Sequence, residues 1–380
     1  MFERMASEQI KKLSRHFSVV FISGPRQSGK TTLAKELFKN LPYILLELPD
    51  QRKLALEDPR AFLMKFSKGA VLDEVQNVPE LFSYLQGIVD DNPKKKFVLT
   101  GSQNFLLNEK ITQSLAGRAG VSVLLPLTIK ELNPSPKTNF VELIFKGSYP
   151  GLHQKKTPPS LFYPSYLQTY IERDVRSLKN VGNLTQFNLF LRLCAGRVGQ
   201  ILNVSHLANE TGISVNTANA WLSVLEASYV IFRLPPYHKN FRKRLVKAPK
   251  LYITDTGLAC YLLGIKNPRE LSTHFAYGAL FENFVILELF KKRLNAGVRD
   301  GLYYWRDNKG IEIDLLIEDG KKIYAYEIKA GQTANTDYFK NLAYWSKLSK
   351  DHKDNTVIYG GDYEQKLPYG KLESWKRLTE

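Results

Sequence analysis

Eight residues near the start of the chain have the types and the spacing that bind a polyphosphate. Residues 24–31 read GPRQSGKT, a complete GxxxxGK[ST] sequence. The apolar run VVFI at residues 19–22 precedes them, and a helical pattern at residues 32–38 follows. A strand that ends in a glycine-rich turn and continues as a helix directs free backbone N–H groups toward one point. The sequence therefore predicts a phosphate-binding loop.

The positions of this loop have different predicted roles. Gly24 and Gly29 allow the turn, Lys30 reaches the terminal phosphates, and the Thr31 hydroxyl is a ligand of Mg²⁺. The alternative is a chance match in a basic surface turn, which the flanking strand and helix disfavour. The rest of the expected nucleotide-contacting set is Pro25, Arg26, Gln27, Ser28 and Thr32.

Two adjacent carboxylates follow a second apolar run. Residues 69–72 read GAVL and are followed by Asp73 and Glu74. Buried parallel strands are nearly continuous apolar runs, and ligands collect at their carboxyl ends, so both side chains should face the same crevice as Lys30. We expect Asp73 to hold Mg²⁺ through its water shell and Glu74 to orient the water that attacks the phosphate.

A third apolar run, residues 96–100, ends in small polar side chains. Thr100 or Ser102 is placed to sense the γ-phosphate through a hydrogen bond. Further along, Arg118 precedes another apolar run at residues 121–125. It is expected to stabilise phosphoryl charge, either within its own chain or across a subunit boundary in a homo-oligomer. The alternative is an ordinary surface arginine.

Length and composition predict a cored, intracellular protein. The 380 residues, 43% of them hydrophobic, are enough for two or three domains. Cys194 and Cys260 form no CxxC pair, which disfavours a zinc site or a disulfide framework. The first twelve residues have no apolar core, and no stretch approaches about 18 uninterrupted apolar residues. We therefore expect a cytoplasmic protein with no membrane partner.

The net charge of +17 is concentrated in part of the chain. Residues 161–270 carry 14 basic and 6 acidic side chains, whereas residues 271–380 are close to neutral. A concentrated positive field favours a polyanion, and nucleic acid, here DNA, is the expected partner. The alternative is a solvated basic face.

The motifs GPRQSGKT, VLDE, VLTGSQN, LAGR and LLPLTIKEL, in that order, resemble the AAA-type ATPases of a prokaryotic group that has a C-terminal domain of unknown function. The resemblance covers the full length of the chain. It implies ATP with Mg²⁺ rather than GTP, in agreement with the absence of an NKxD guanine-reading motif. It also implies that Arg118 acts as an arginine finger.

The middle of the chain has a helix-turn-helix pattern. A helix is predicted over residues 163–179, after a boundary at Pro158. Ser205 is expected to cap the next helix, Gly212 to end it, and Ser214 to cap a further helix over residues 215–227.

Two apolar strands, residues 229–234 and 250–253, flank a basic loop, which predicts a winged helix. Clustered basic side chains are what phosphate contacts require, and Tyr237 and Phe241 are expected to reach a sugar or base. The alternative is a packing module without DNA contact. The basic residues of this loop are Lys239, Arg242, Lys243, Arg244 and Lys247.

The last third contains a carboxylate pattern around a predicted hairpin. Two alternating runs flank the dipeptide DG at residues 319–320, which is a strong turn signal. With this turn, Asp314 faces Ala325, and Asp314, Glu327 and Lys329 project from one side of the sheet. The two carboxylates are then diagonal neighbours about 7 to 8 Å apart between backbones, close enough to share one divalent ion.

An Asp followed by ExK after a hairpin resembles the restriction-endonuclease-like superfamily. The resemblance implies that the carboxylates bind Mg²⁺ and that the metal activates water. Glu282, in an otherwise apolar helix, matches the helical carboxylate of that superfamily, and Glu312, predicted opposite Glu327, is a further candidate ligand. The alternative is a buried charge network, including Lys329, in a fold that no longer cuts.

The sequence thus predicts an α/β chain in three parts. Residues 1–158 form an AAA-type P-loop ATPase domain with a parallel sheet, residues 159–270 a helical winged-helix domain, and residues 271–380 a restriction-endonuclease-like α/β domain. The expected function is ATP hydrolysis together with engagement of DNA. Two alternatives stay open: an ATP-gated switch whose C-terminal domain is an inactive scaffold, and a regulator that recruits protein partners.

Overall fold

The computed structural model describes residues 2–102, 114–171, 184–238, 247–349 and 352–380. These residues divide into two units. The N-terminal unit comprises Met1–Leu127, Ala227–Tyr229 and Lys292–Val298, and the C-terminal unit comprises Thr128–Glu226, Val230–Lys291 and Arg299–Glu380. The three-domain division at residues 158 and 270 stays a prediction.

A five-stranded parallel sheet forms the centre of the N-terminal unit. Four of its strands overlap with the predicted apolar runs, and the fifth, Tyr43–Leu45, was not predicted. The strands are β1 (Val19–Ser23), β2 (Tyr43–Leu45), β3 (Gly69–Asp73), β4 (Lys96–Gly101) and β5 (Ala119–Val123). Their order across the sheet is β2-β3-β4-β1-β5, so β1 lies between β4 and β5. Every residue of β1 and β3 is buried, which is typical of a parallel sheet covered on both faces.

Helices cover both faces because successive strand residues point to opposite sides. Phe21, Leu72 and Leu99 pack into one apolar cluster with the helices that follow β2 and β3. Val20 and Val71 pack on the other face with the first two helices. The helices are α1 (Ala6–His16), α2 (Lys30–Leu37), α3 (Pro49–Glu57), α4 (Pro59–Met64) and α5 (Leu81–Asp91), with a 3₁₀ turn at Val75–Asn77.

The first part of the C-terminal unit is mainly helical. Its elements are α6 (Ile129–Leu132), α7 (Phe140–Lys146), α8 (Pro150–Gln154), α9 (Pro159–Tyr166), a π-helical segment (Leu167–Ile171), α10 (Leu184–Ala195), α11 (Val204–Thr211), α12 (Val215–Ala227), and the antiparallel strands β6 (Ile231–Leu234) and β7 (Lys250–Ile253). The helix predicted from residue 163 thus begins earlier, and the end of that prediction lies outside the described residues.

The boundaries of the helix pair agree with the predicted pattern except at one cap. Gly212 ends α11 with a φ of 71°, and Ser214 Oγ accepts a hydrogen bond from the Thr217 backbone N–H at 3.0 Å. The prediction that Ser205 caps α11 is wrong: the Asn203 side chain accepts the capping bond from the His206 N–H. Asparagine and serine are about equally favoured as N-caps, so residue type alone did not distinguish Asn203 from Ser205.

The predicted wing is only partly described, because residues 239–246 lie outside the described ranges. Phe241 and four of the basic residues, Lys239, Arg242, Lys243 and Arg244, are therefore not placed. Lys247 is exposed. Tyr237 is buried and packs against Tyr303 and Trp345, so the prediction that it reaches a nucleic acid is wrong.

Asp255 ties three segments of the C-terminal unit together. Its carboxylate is fully buried and accepts hydrogen bonds from the Ser148 N–H at 2.7 Å, the Tyr163 hydroxyl at 2.6 Å and the Leu258 N–H at 2.9 Å. A buried carboxylate is costly unless its oxygens are satisfied, and these donors satisfy both of them. Gly147 has no room for a side chain here, because a Cβ would lie 2.0 Å from the Tyr163 oxygen.

A mixed six-stranded sheet forms the rest of the C-terminal unit. Its strands are β8 (Leu302–Arg306), β9 (Glu312–Asp319), β10 (Lys322–Lys329), β11 (His352–Tyr359), β12 (Gln365–Leu367) and β13 (Gly370–Ser374), in the order β12-β13-β11-β10-β9-β8. Between and around them lie α13 (Thr256–Leu262), α14 (Pro268–Thr273), α15 (Tyr277–Asn295) and α16 (Lys340–Leu348), with 3₁₀ turns at Thr336–Phe339 and Trp375–Thr379. Among the described helices, none has the length and apolarity needed to cross a membrane.

The hairpin between β9 and β10 has a different turn from the predicted one. Asp319 pairs with Lys322, so the two turn residues are Gly320 and Lys321, and Gly320 has the positive φ of 60° that tight hairpins favour. The register therefore differs by two residues. An even shift keeps every side chain on its predicted face, but it moves the partners along the strand.

Candidate functional site

The GPRQSGKT segment forms the turn between β1 and α2, as predicted. Gly24 has a φ of 149°, and a Cβ there would lie 2.2 Å from the Leu124 carbonyl oxygen, so only glycine fits. Gly29 has a φ of 96° directly before α2. Lys30 Nζ turns back into the loop and donates to the carbonyl oxygens of Gly24 at 2.9 Å and Pro25 at 2.7 Å.

Asp73 lies at the same sheet edge as this loop, which confirms its predicted placement. It ends β3, is 2% exposed, and its Oδ2 accepts a hydrogen bond from Thr31 Oγ1 at 2.8 Å. The Tyr43 hydroxyl donates to the same oxygen at 2.6 Å, and the Thr100 hydroxyl contacts Oδ1. The carboxylate is thus held in one orientation beside the first residues of α2.

Sequence reasoning missed Tyr43, because no motif marks it. It lies on β2, where Leu45 pairs with Asp73, and this register brings its hydroxyl to the carboxylate. Burial and the hydrogen bond to Asp73 both raise the pKa of the Tyr43 phenol above its ordinary value, so the phenol is a donor at neutral pH. Lys35 Nζ lies 3.7 Å from the centroid of its ring.

Glu74 has an unusual backbone conformation directly after the strand. Its φ of 56° is in the left-handed region, which is uncommon for a residue other than glycine. Its side chain contacts Gln76 Nε2, which also lies 3.4 Å from Ser102 Oγ. Ser102 therefore belongs to the site through Gln76, and Gln76 is a second residue that no sequence motif indicated.

Arg118 lies at the end of the sheet where β1 begins, whereas the loop lies at the end of the sheet where β1 ends. The following residue, Ala119, pairs with Val19 at the start of β1, whereas the loop follows the end of β1. The strand between them is about 15 Å long at roughly 3.3 Å per residue. The Arg118 guanidinium pairs with Asp90, with Nε 2.6 Å from Oδ1. A role within its own chain does not fit this geometry, and the finger acting across a subunit boundary stays a prediction.

The loop residues fit a polyphosphate on three observations. Ser28 Oγ is fully buried and has no hydrogen-bond partner among the described residues. The Lys30 ammonium contacts carbonyl oxygens that anionic oxygens can replace. Gly24 has no side chain, which allows the loop to pack directly against the backbone of Leu124. Of the other predicted contacts, Pro25 is buried, Arg26 half-buried, and Gln27 and Thr32 exposed.

In the C-terminal unit, the observed register pairs Leu315 with Tyr326, so that Asp314 and Glu327 are the next residues of the two strands rather than the predicted diagonal neighbours. Asp314 Oδ2 accepts a hydrogen bond from the Ile328 N–H at 2.8 Å, and Lys329 Nζ lies 2.6 Å from Glu327 Oε1 and 3.9 Å from Asp314 Oδ2. Burial, and then the Asp314 charge, raises the pKa of Glu327 to about 8. The three predicted residues therefore share one face and one charge network.

Glu282 and Glu312 share a different cation, Lys250. Lys250 Nζ lies 3.1 Å from Glu282 Oε1 and 2.5 Å from Glu312 Oε1, and the Tyr252 hydroxyl donates to Glu282 at 2.5 Å. Burial raises the pKa of Glu282 to about 7. The prediction that Glu312 lies opposite Glu327 is wrong, since the β9–β10 register, in which Leu315 pairs with Tyr326, is shifted by two residues from the predicted one.

Lys250 was missed as a site residue because the sequence placed it only in an apolar strand. It is 2% exposed, and its ammonium lies within ion-pair distance of the carboxylates of both Glu282 and Glu312. In the part of the chain that the structure describes, no group of three or more His, Cys, Asp or Glu side chains is arranged to hold a metal ion.

Comparison with known proteins confirms the predicted AAA domain. The sequence profile of an AAA domain family matches residues 16–133, and two domains of unknown function, DUF8612 and DUF4143, match residues 137–269 and 277–376. The resemblance to ATPases that have a C-terminal domain of unknown function is confirmed at this level.

Relatives of the chain occur in bacteria and archaea. The uncharacterized protein Rv2008c of Mycobacterium tuberculosis is 30% identical over 336 residues, which cover 87% of this chain and 74% of the relative. The uncharacterized protein MJ1544 of Methanocaldococcus jannaschii is 25% identical over 92% of this chain and 82% of its own length. A solved structure, the Walker-type ATPase PABY2304 of Pyrococcus abyssi, aligns at 16% identity with a TM-score of 0.47, covering 69% of this chain and 96% of that one.

Proposed function

We propose that this chain, which belongs to the same family as the uncharacterized mycobacterial protein Rv2008c, binds and hydrolyses ATP in its AAA domain. One observation carries the proposal: the Thr31 hydroxyl donates to Asp73 Oδ2 at 2.8 Å. This contact brings the end of the GPRQSGKT loop and the Asp73-Glu74 pair to one edge of the parallel sheet, where ligands of such sheets bind.

The roles of the residues follow from their positions. Lys30 exchanges its two carbonyl partners for phosphate oxygens, which as charged acceptors are the stronger partners. The Thr31 hydroxyl is suited to bind Mg²⁺ directly, and the Asp73 carboxylate is suited to bind it through water. Glu74 orients the attacking water and accepts its proton. ATP with Mg²⁺, when bound, supplies the electrophilic phosphoryl group and the neutralising charge.

Calorimetric titration of the full chain tests this proposal. We expect ATP to bind at one site per chain in the presence of Mg²⁺, and adenosine, which lacks phosphates, to give no detectable heat, because the loop contributes phosphate contacts. Release of inorganic phosphate from ATP should follow at a constant rate. The control titration uses GTP, which we expect to bind more weakly. Failure of ATP both to produce heat and to raise the melting temperature would contradict the proposal.

We further propose that the basic middle of the chain engages DNA. Two observations support this proposal. Residues 161–270 carry 14 basic but only 6 acidic side chains, and helices α11 and α12 are joined by a short turn through Gly212. The alternative, a packing module without DNA contact, is favoured by the burial of Tyr237. Fluorescence anisotropy with a labelled duplex separates the two: DNA contact predicts affinity that falls steeply between about 50 mM and about 200 mM salt.

A second candidate function, metal-dependent cleavage of DNA, rests on the neighbouring carboxylates of Asp314 and Glu327 with Lys329 beside them. The competing reading is an inactive scaffold. It is favoured by Lys250, whose ammonium already forms ion pairs with both Glu282 and Glu312.

Plasmid nicking with Mg²⁺ or Mn²⁺ distinguishes cleavage from scaffold. If the candidate function is correct, the wild type nicks the plasmid, and Asp314→Ala reduces the rate by at least about 100-fold, because the metal loses a ligand. The matched control is Asp319→Ala, on the same strand but exposed, which should nick at the wild-type rate. Equal rates for wild type and Asp314→Ala, including no nicking by either, support the scaffold.

A further inference from the structure

Arg4, a buried arginine just before α1, donates hydrogen bonds to the backbone of the GPRQSGKT loop and of the segment after β5. Arg4 is 7% exposed, and its Nη1 donates to the Ser28 carbonyl oxygen at 2.6 Å. Its Nη2 donates to the Leu125 carbonyl oxygen at 2.7 Å. Both distances are those of well-formed hydrogen bonds from a charged donor. No sequence motif indicated Arg4, because it lies 20 residues before the loop.

The second of these contacts joins the loop to a segment that is itself hydrogen-bonded to β1. Leu125 lies just beyond β5, and the preceding Leu124 N–H donates to the Ser23 carbonyl oxygen at 2.7 Å. The Leu124 carbonyl is also the group that leaves no room for a side chain on Gly24. Arg4 therefore ties the second half of the loop to the same segment that supports its first half.

The contact with Ser28 has a consequence for the next amide group. The peptide bonds of the described residues are all trans, so the Ser28 carbonyl and the Gly29 N–H point in opposite directions. When Arg4 holds the carbonyl on its own side, the Gly29 N–H faces the other side. Gly29, with a φ of 96°, has a backbone that turns readily, so an unheld peptide at this position can rotate.

We infer that Arg4 is a positioning residue: it fixes the Ser28–Gly29 peptide so that the Gly29 N–H faces the phosphate side of the loop. This inference rests on the proposed function, because a correctly turned amide matters only if an anion binds there. A guanidinium suits the task, since its planar fork reaches two carbonyl oxygens at once, whereas an ammonium on a lysine is a single point of charge.

The decisive variant is Arg4→Lys, which keeps the positive charge and most of the alkyl chain. We expect its apo melting temperature to stay close to that of the wild type and its Kd for ATP and ADP to rise about tenfold, the effect of one misdirected hydrogen bond to a charged phosphate. Arg4→Ala should weaken binding at least as much. The matched control is Arg15→Ala on α1, an exposed arginine, with wild-type affinity expected.

Hydrogen exchange of the peptide that covers residues 24–31 gives a readout independent of turnover. In the wild type we expect nucleotide to slow exchange in this peptide, and in Arg4→Lys we expect the protection to be smaller at nucleotide concentrations that saturate both proteins. A Kd for Arg4→Lys within twofold of the wild type, with equal protection, overturns the inference. Absence of nucleotide binding by the wild type instead overturns the proposed function, and the inference with it.

Discussion

Replacing Lys30 with alanine is expected to abolish measurable ATP binding. Lys30 is 5% exposed, and its ammonium lies inside the loop, where it contacts the carbonyl oxygens of Gly24 and Pro25. With ATP bound, Lys30 is proposed to donate to phosphate oxygens instead; hydrogen bonds to charged groups contribute about 1.5 to 3 kcal/mol each, so losing two of them weakens ATP binding by roughly 100-fold or more. Calorimetric titration with Mg²⁺ and ATP measures this loss directly, and phosphate release should disappear with it.

The control for this experiment is Lys39→Ala, which removes one positive charge from an exposed position shortly after α2. We expect it to bind ATP with wild-type affinity. Lys30→Met serves as a second variant, because it retains the buried alkyl chain and removes only the ammonium. Phosphate release by Lys30→Met at the wild-type rate would contradict the assignment of the loop.

Local pattern was enough to predict the parts of this site that depend on local backbone. The GPRQSGKT turn and the strand that ends at Asp73 each carry their own signal, because glycine positions and continuous apolar runs are visible in the sequence. Parallel pairing then brings both to one sheet edge without further information. The structure confirms this placement through the Thr31–Asp73 hydrogen bond.

The residues that sequence reasoning missed depend on tertiary contacts. Tyr43 reaches the site because β2 pairs with β3, and Arg4 reaches it through a hydrogen bond to the Ser28 carbonyl. Neither residue belongs to a local motif. Lys250 lies in an apolar strand, and only the fold shows that two carboxylates face it. Such contacts join residues far apart in the chain, so no single segment specifies them.

The hairpin at residues 319–322 shows a limit of a different kind. Asp319-Gly320 and Gly320-Lys321 both place glycine in a two-residue turn, and the dipeptide preference favoured the first. The structure has the second, in which Asp319 pairs with Lys322 and Gly320 occupies the first turn position with a positive φ. Because the two registers differ by an even number, the shared face of Asp314 and Glu327 was predicted correctly and their pairing was not.

Glu74→Gln is expected to separate ATP binding from ATP turnover. The substitution keeps the shape of the side chain and its contact with Gln76, but an amide cannot accept the proton of an attacking water. Lys30 and Thr31 are unchanged, so the Kd for ATP should stay within about threefold of the wild type. The rate of the chemical step should fall by about 100- to 10,000-fold, the usual contribution of a general base.

Single-turnover phosphate release, measured with protein in excess over ATP, tests this prediction without interference from product release. The matched control is Glu80→Gln, which makes the same chemical change at an exposed position six residues away and should retain wild-type turnover. Glutamine has the same branching as glutamate, so we expect the left-handed turn at Glu74 to persist and a lost rate to report on the carboxylate and not on the turn. If Glu74→Gln releases phosphate as fast as the wild type, another group activates the water, and the Gln76–Ser102 pair beside it becomes the next position to change.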